Sequence, residues 1–374
     1  VICPDSFKGS LSSTEAACAI ERGILRTGLN VETICIPLAD GGECTADVLM
    51  RALNGSRIEI VTHDPLMRPI KASYVISGDG KTAIVEMAAA SGLVLLDENE
   101  RNPLYTTTYG TGELIAAALE SGVEKIIVGI GGSATNDGGA GAMAALGVRF
   151  LDSDGNDLPP GGVALQNLQR IDIGDLREKL GSVIFEAACD VTNPLTGSDG
   201  ASAVYGPQKG ATPEMVYLLD SALDGYAQVI EKELGCSVAN IPGAGAAGGL
   251  GAGLAAFLGA QLKSGIDIVL DAVGFNEVII DADIVISGEG KIDRQTAYGK
   301  TIGGVLKRCR NAGVPVVGIG GCVEDTSELY DAGLVTAFPM TPAPVTLQES
   351  MEHAMEYLES CSERILRLFA ISKK

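Results

Sequence analysis

Residues 125–146 read KIIVGIGGSATNDGGAGAMAAL, which commits the chain to a strand, a glycine-rich turn and a helix in immediate succession. Ile126, Ile127 and Val128 form an apolar run suited to a strand buried on both faces. The small residues from Ala140 to Leu146 predict a helix. Between them lie Gly129, Gly131, Gly132, Ser133, Thr135, Asn136, Asp137, Gly138 and Gly139. Such a turn lets backbone N–H groups approach a ligand, and the helix start behind it favours an anion. Ser133, Thr135 and Asn136 add neutral hydrogen-bonding groups, and Asp137 adds a carboxylate that suits a bridging divalent cation. Gly131, Gly132, Ser133, Thr135, Asn136, Gly138 and Gly139 are therefore phosphate-site candidates. The same glycines also serve close packing, and Gly129-x-Gly131-x-x-Ala134 is only a loose dinucleotide fingerprint.

The segments on either side of this turn define the architecture. Residues 1–4 and 31–37 predict strands, and each runs into a polar loop followed by a helix. Ser12 or Ser13 caps the first helix, with Glu15 in its first turn; the second helix ends near Leu53. Polar residues at strand ends mark the ligand edge of an open parallel sheet. Lys8, Asp40 and Glu43 are placed there, with Lys8 expected to pair with the two acids. Short strands at 58–63, 71–76 and 82–87, joined by turns, predict antiparallel pairing. Residues 106–113, TTTYGTGE, are expected to cap a helix that ends at Ser121. A strand at 183–188 leads to Asp190 and Asn193, positions suited to Mg²⁺, to a substrate hydroxyl or to a plain Asx-turn. Residues 206–210 read as an exposed polar loop carrying Lys209, and a helix at 214–234 follows. PGAGAAGGLGAG at 242–253 lacks a preceding strand, so it serves helix packing or phosphate contact rather than a dinucleotide.

From Asp283 the strand–helix rhythm returns, with strands at 284–286, 314–319 and 335–338 and a helix at 346–370. The predicted fold is α/β, with a discontinuous Rossmann-like or flavodoxin-like parallel-sheet domain at 1–58 plus 285–374. A second α/β domain, with partly antiparallel strands, is inserted at 59–284, and the cleft between them is the expected active site. Gly299-Lys300-Thr301 resembles the end of a P-loop, but Arg294 stands where that motif needs glycine. Lys300 at a helix start still suits a phosphate.

Composition narrows the chemistry. A net charge of −21 opposes nucleic acid or an anionic membrane as partner. His63 and His353 are the only histidines, so carboxylates and lysines must carry the reaction. Nine cysteines without CxxC pairs, and an opening VICPD without a secretory pattern, give the expectation of a cytoplasmic protein, monomeric or homodimeric.

Nine motifs in order resemble one family: PDSFKGSLS at 4–12, ADGGE at 39–43, EMAAASGL at 86–93, TTTYGTGELI at 106–115, GIGGSATNDGGAG at 129–141, CDVTNPL at 189–195, YGPQKGA at 205–211, PGAGAAGGLGAG at 242–253 and SGEGKID at 287–293. The chain is similar to the bacterial glycerate kinases that are neither protein kinases nor P-loop enzymes. The resemblance implies Mg²⁺-dependent transfer of phosphate from ATP to D-glycerate, giving 2-phosphoglycerate. Cys44 and Lys291 depart from the glycine and arginine that the family usually has there.

Phosphoryl transfer needs positioning and charge neutralisation more than covalent chemistry. The carboxylates available for Mg²⁺ are Asp137, Asp190, Glu289 and Asp293; Lys8, Lys209, Lys291 and Lys300 can meet phosphate or the substrate carboxylate. Lys291 is grouped with the phosphate contacts, and Lys8, Asp40, Asn193 and Lys209 with the substrate. Asp190 is the favoured base and Asp293 the runner-up, and either also suits a metal. Lys8 is further expected to neutralise charge on the transferring group. No residue distinguishes the two glycerate hydroxyls, so transfer to the 3-hydroxyl stays open. A nicotinamide oxidoreductase lacks its ribose-binding acid here, and a non-catalytic nucleotide-binding regulator would leave the distributed acids and lysines unexplained.

Overall fold

The computed structural model describes residues 1–38, 45–297, 301–324 and 326–372. It is a mixed α/β protein that divides into two compact units, Val1–Asp40 with Ile266–Lys374, and Gly41–Gly265. Helix Thr45–Ala52, expected with the first 58 residues, belongs instead to the second unit. Its Ala46 N–H donates to Glu86 at 2.9 Å, and Asp47 pairs with Arg57.

In the Gly41–Gly265 unit the strands are β1 (Ser56–His63), β2 (Pro69–Ile76), β3 (Thr82–Glu86), β4 (Lys125–Gly129), β5 (Arg149–Leu151), β6 (Arg170–Asp172), β7 (Ile184–Ala188) and β8 (Gln261–Lys263). Six form one sheet in the order β1-β2-β3-β4-β7-β8, antiparallel up to β3 and parallel from there. β5 and β6 pair separately. The apolar run in β4 is buried because that strand lies between β3 and β7, and Ile126 and Val128 share a core with Val85, Leu114, Met143 and Leu250. Each such side chain contributes roughly 1.5–3 kcal/mol. Lys125 and Lys263, from the strands flanking β7, both pair with buried Glu186, at 2.6 and 2.5 Å. Pairing Glu86 with Gly129, Gly129 with Ala188 and Ala188 with Lys263 aligns the carboxyl ends of four strands along one edge.

The other unit holds the parallel strands β9 (Val285–Ile292), β10 (Val316–Val323) and β11 (Leu334–Pro339), in the order β11-β10-β9. The strands expected at 1–4 and 31–37 are reduced to bridges, in which Ile2 pairs in parallel with both Cys35 and Ile286. Pro4 brings no N–H, which interrupts the ladder, although Leu38 N–H still donates to Pro4 O at 2.9 Å and Asp5 N–H to Gly288 O at 2.8 Å. Helix Ser13–Leu25 is capped as expected, since Ser12 accepts from Glu15 N–H and Glu15 accepts from Ser12 N–H. The helix expected at 346–370 is two, Leu347–Glu352 and Ala354–Ser372, separated at His353. Among the described residues no helix is long and apolar enough to cross a membrane.

The segment at 242–253 packs against the central glycine turn. Gly138 N–H donates to Gly248 O at 3.0 Å, and a Cβ on Gly248 would lie 2.0 Å from Thr135 O. Gly248 and Gly259 both have left-handed backbones, with φ of 68° and 62°, but a Cβ at Gly259 meets nothing within 4 Å. Gly259→Ala should cost only about 1–2 kcal/mol of backbone strain. Gly248→Ala should cost clearly more in urea unfolding, because backbone must also move. Equal losses would show that the close contact is not what requires glycine there.

Candidate functional site

The aligned strand ends of the Gly41–Gly265 unit open onto a pocket of about 410 Å³. Gly131, Gly132, Ser133, Asp190 and Lys209 supply its polar surface. Leu93, Ile130, Val191, Ala246, Ala247 and the ring of Tyr205 supply apolar walls. The first two strand-end loops are drawn together, since Gly92 and Ser133 form a bridge and Leu93 N–H donates to Gly132 O at 2.8 Å.

Lys209 is buried at 1% exposure, where an exposed loop residue was expected. The single turn Pro207–Lys209, closed by Gly210 at φ 91°, carries its side chain inward. Its Nζ donates to Thr135 O at 2.7 Å and to Ser133 Oγ at 3.3 Å. Burial pushes the ammonium down to about 7, and nearby Asp137 pulls weakly the other way. A buried cation held by neutral oxygens is stabilised by any anion that enters beside it.

Asp137, expected to bind metal, is buried at 1% exposure. Its carboxylate accepts from Thr108 N–H at 2.8 Å, from the hydroxyls of Thr107 and Thr108, and from the N–H groups of Gly139 and Gly141. Burial raises its pKa, and the donors from Thr108, Gly139 and Gly141 oppose that rise. The threonines expected to cap the helix Tyr109–Glu120 also tie down the glycine turn: Thr107 Oγ1 accepts from Tyr109 N–H at 3.3 Å, and Thr106 adds a bond to Ala134 O at 2.9 Å. Nothing local in the sequence pairs residue 108 with 137; the recurrence of threonine three times is the only signal.

The remaining turn residues lie behind the pocket surface. Thr135 is fully buried, its N–H donating to Ser133 Oγ at 3.1 Å. Asn136 is also buried, and its Nδ2 donates to Ser202 Oγ at 2.9 Å. A Cβ on Gly138 would meet the Tyr226 ring at 2.5 Å. Asp190 reaches the pocket, and its Oδ1 accepts from Gly265 N–H at 2.8 Å. Asn193 instead braces the wall, accepting from the Tyr205 hydroxyl at 2.6 Å and donating to Asp199 O at 2.8 Å. Tyr205 was missed by sequence reasoning, although it opens the motif that contains Lys209.

The Val1–Asp40 and Ile266–Lys374 unit has its own polar edge. Lys8 is exposed, in a turn where Gly9 has φ 81°; Asp40 and Glu43, its expected partners, lie outside the described residues, as does Lys300. Glu289 is nearly buried and accepts from Thr296 Oγ1 at 2.6 Å. Lys291 pairs with Glu324 at 3.0 Å and with Asp293 at 3.4 Å, and the bond to Glu324 leads in raising its pKa. Among the described residues no three His, Cys, Asp or Glu side chains converge as a metal site.

Asp137→Asn should weaken folding by roughly 1.5–3 kcal/mol, because an amide places donors against the donors from Thr108, Gly139 and Gly141. The loss should persist in excess Mg²⁺. Recovery of stability or activity with added Mg²⁺ or Mn²⁺ would return Asp137 to the metal ligands.

Comparison with known proteins matches this arrangement to a single family. The family model described as "Glycerate kinase family" matches residues 1–370. A glycerate kinase of Bacillus subtilis (strain 168) is 51% identical over 374 residues, covering 100% of this chain and 98% of the relative. A glycerate 2-kinase of Escherichia coli (strain K12) is 47% identical, with 100% and 98% covered. A crystal structure from Salmonella typhimurium LT2, provisionally described as glycerate kinase 2, superposes with a TM-score of 0.90 at 46% identity, covering 100% of this chain and 98% of that one. The chain belongs to the glycerate kinase family and is a kinase.

Proposed function

We propose that this kinase transfers the γ-phosphate of ATP to D-glycerate, giving 2-phosphoglycerate and ADP, with Mg²⁺ bound to the nucleotide. The observation that carries the reading is the buried Lys209 in one pocket with residues 131–133 and Asp190. A buried ammonium beside a glycine-rich strand end suits a phosphate chain, whose charge offsets the lysine's desolvation. Asp190 accepts the proton of the attacking hydroxyl, its Oδ1 being oriented by Gly265 N–H. Asp190 is also the pocket carboxylate that would hold Mg²⁺, which when bound neutralises charge on the phosphate oxygens. Glu289 and Asp293 remain proposed as further acidic contributors, Lys291 as a phosphate contact and Lys8 as a contact to the transferring group or the glycerate carboxylate. The name of the Escherichia coli relative favours the 2-hydroxyl.

Purified protein should release ADP with Mg²⁺, ATP and D-glycerate together, and only at background without D-glycerate. The product should feed enolase directly. A product that enolase ignores until a mutase is added would assign transfer to the 3-hydroxyl, and ATP binding without ADP release would favour a regulator.

Lys209 sets a pH dependence whose sign is fixed. Its ammonium in the free enzyme is lost as pH rises through about 7, whereas a bound anion raises that pKa. The dissociation constant for ATP should therefore rise above pH 7, by up to about tenfold per pH unit. Lys209→Met should bind weakly and flatten the profile. Because the folded-state pKa lies below the ordinary 10.5, fold stability should also increase with pH between about 7 and that value. A wild-type profile that is flat across this range would remove Lys209 from the anion site.

A further inference from the structure

We infer that the adenine ring of the nucleotide is held in this same pocket, against the ring of Tyr205. The inference rests on the proposed use of ATP. A three-carbon acid carrying a carboxylate and two hydroxyls offers almost no apolar surface, whereas Leu93, Ile130, Val191, Tyr205, Ala246 and Ala247 all line the pocket. A volume of about 410 Å³ also lies in the range that encloses a drug-sized ligand. A purine has flat apolar faces that such walls desolvate favourably, with an aromatic ring to stack on.

Tyr205 is fixed for that role. Its hydroxyl donates to Asn193 Oδ1 at 2.6 Å, while Asn193 O accepts from Gly245 N–H at 3.0 Å. Asn193 therefore fastens Tyr205 to the start of the segment that carries Ala246 and Ala247. Ala247 supports the same reading. It holds a left-handed backbone, φ 53° and ψ 38°, beside Gly248 and Gly249, which do so without strain. An alanine that bears this strain, where the next two residues are glycines, puts a methyl group on the pocket wall. With the base against these walls, residues 131–133 and Lys209 remain for the phosphates.

Calorimetric titration without D-glycerate tests the assignment, using adenosine, ATP and inorganic tripolyphosphate as separate ligands. Tyr205→Ala should weaken adenosine and ATP roughly tenfold and leave tripolyphosphate unchanged. Tyr205→Phe should keep wild-type adenosine binding to within a few-fold. Ala247→Gly relieves backbone strain, so it should fold at least as well as wild type yet bind adenosine more weakly; it carries the test if Tyr205→Ala does not fold. Equal weakening of tripolyphosphate and adenosine would overturn the inference. So would unchanged adenosine binding in both Tyr205→Ala and Ala247→Gly, or an effect confined to the KM for D-glycerate. Adenosine binding that depends on Tyr205 in a protein with no glycerate-dependent ADP release would leave this inference standing while the proposed reaction failed.

Discussion

The contact on which the pocket depends is backbone against backbone. Gly248 lies so near Thr135 that a single methyl group would collide with the carbonyl oxygen, and Gly138 N–H bonds to Gly248 O across the same junction. Asp137 holds the turn from the far side through donors from Thr107, Thr108, Gly139 and Gly141. A buried carboxylate with one weak partner would cost several kcal/mol, which is why the number of donors matters. Charge-assisted hydrogen bonds of roughly 1.5–3 kcal/mol each offset that cost. With both its back and its flank fixed, the turn offers residues 130–133 to the pocket. Preorganisation of this kind lowers the entropy lost when a charged ligand binds.

Lys209 is the electrostatic counterpart of this rigid turn. Its ammonium is buried against Thr135 O and Ser133 Oγ, two oxygens of the very turn that Asp137 secures. Neutral acceptors only partly replace water, so burial still depresses its pKa to about 7. The turn and the lysine thus form one device, in which backbone packing fixes where the oxygens stand and those oxygens fix the amine. A change at Gly248 reaches Lys209 through Thr135 O, which a new methyl group would strike.

Much of this fold was legible because its signals are local. The buried run in β4, the Ser12–Glu15 capping box and the antiparallel pairing of β1 to β3 each follow from residues a few positions apart. The shortening of the predicted strand at 1–4 is legible too, in Pro4, which has no backbone N–H to give its neighbour. The site was harder to read, because its decisive partners are distant in the chain. Thr108 meets Asp137 across 29 residues and Lys209 meets Thr135 across 74, so neither pairing leaves a periodic trace. A lysine between glycines looks like a solvated loop charge until its burial is known. Asn193 was correctly placed beside the strand end, yet its amide braces Tyr205.

The most direct test of a lysine kept near neutrality until its ligand arrives is to count protons as ATP binds. Calorimetry at about pH 8 in buffers of differing ionisation enthalpy measures that number. If the phosphate chain recharges Lys209, binding should take up protons, approaching one per site, and Lys209→Met should abolish the uptake. Binding of ATP with no proton uptake, or with proton release, would contradict a nucleotide phosphate site built on this lysine.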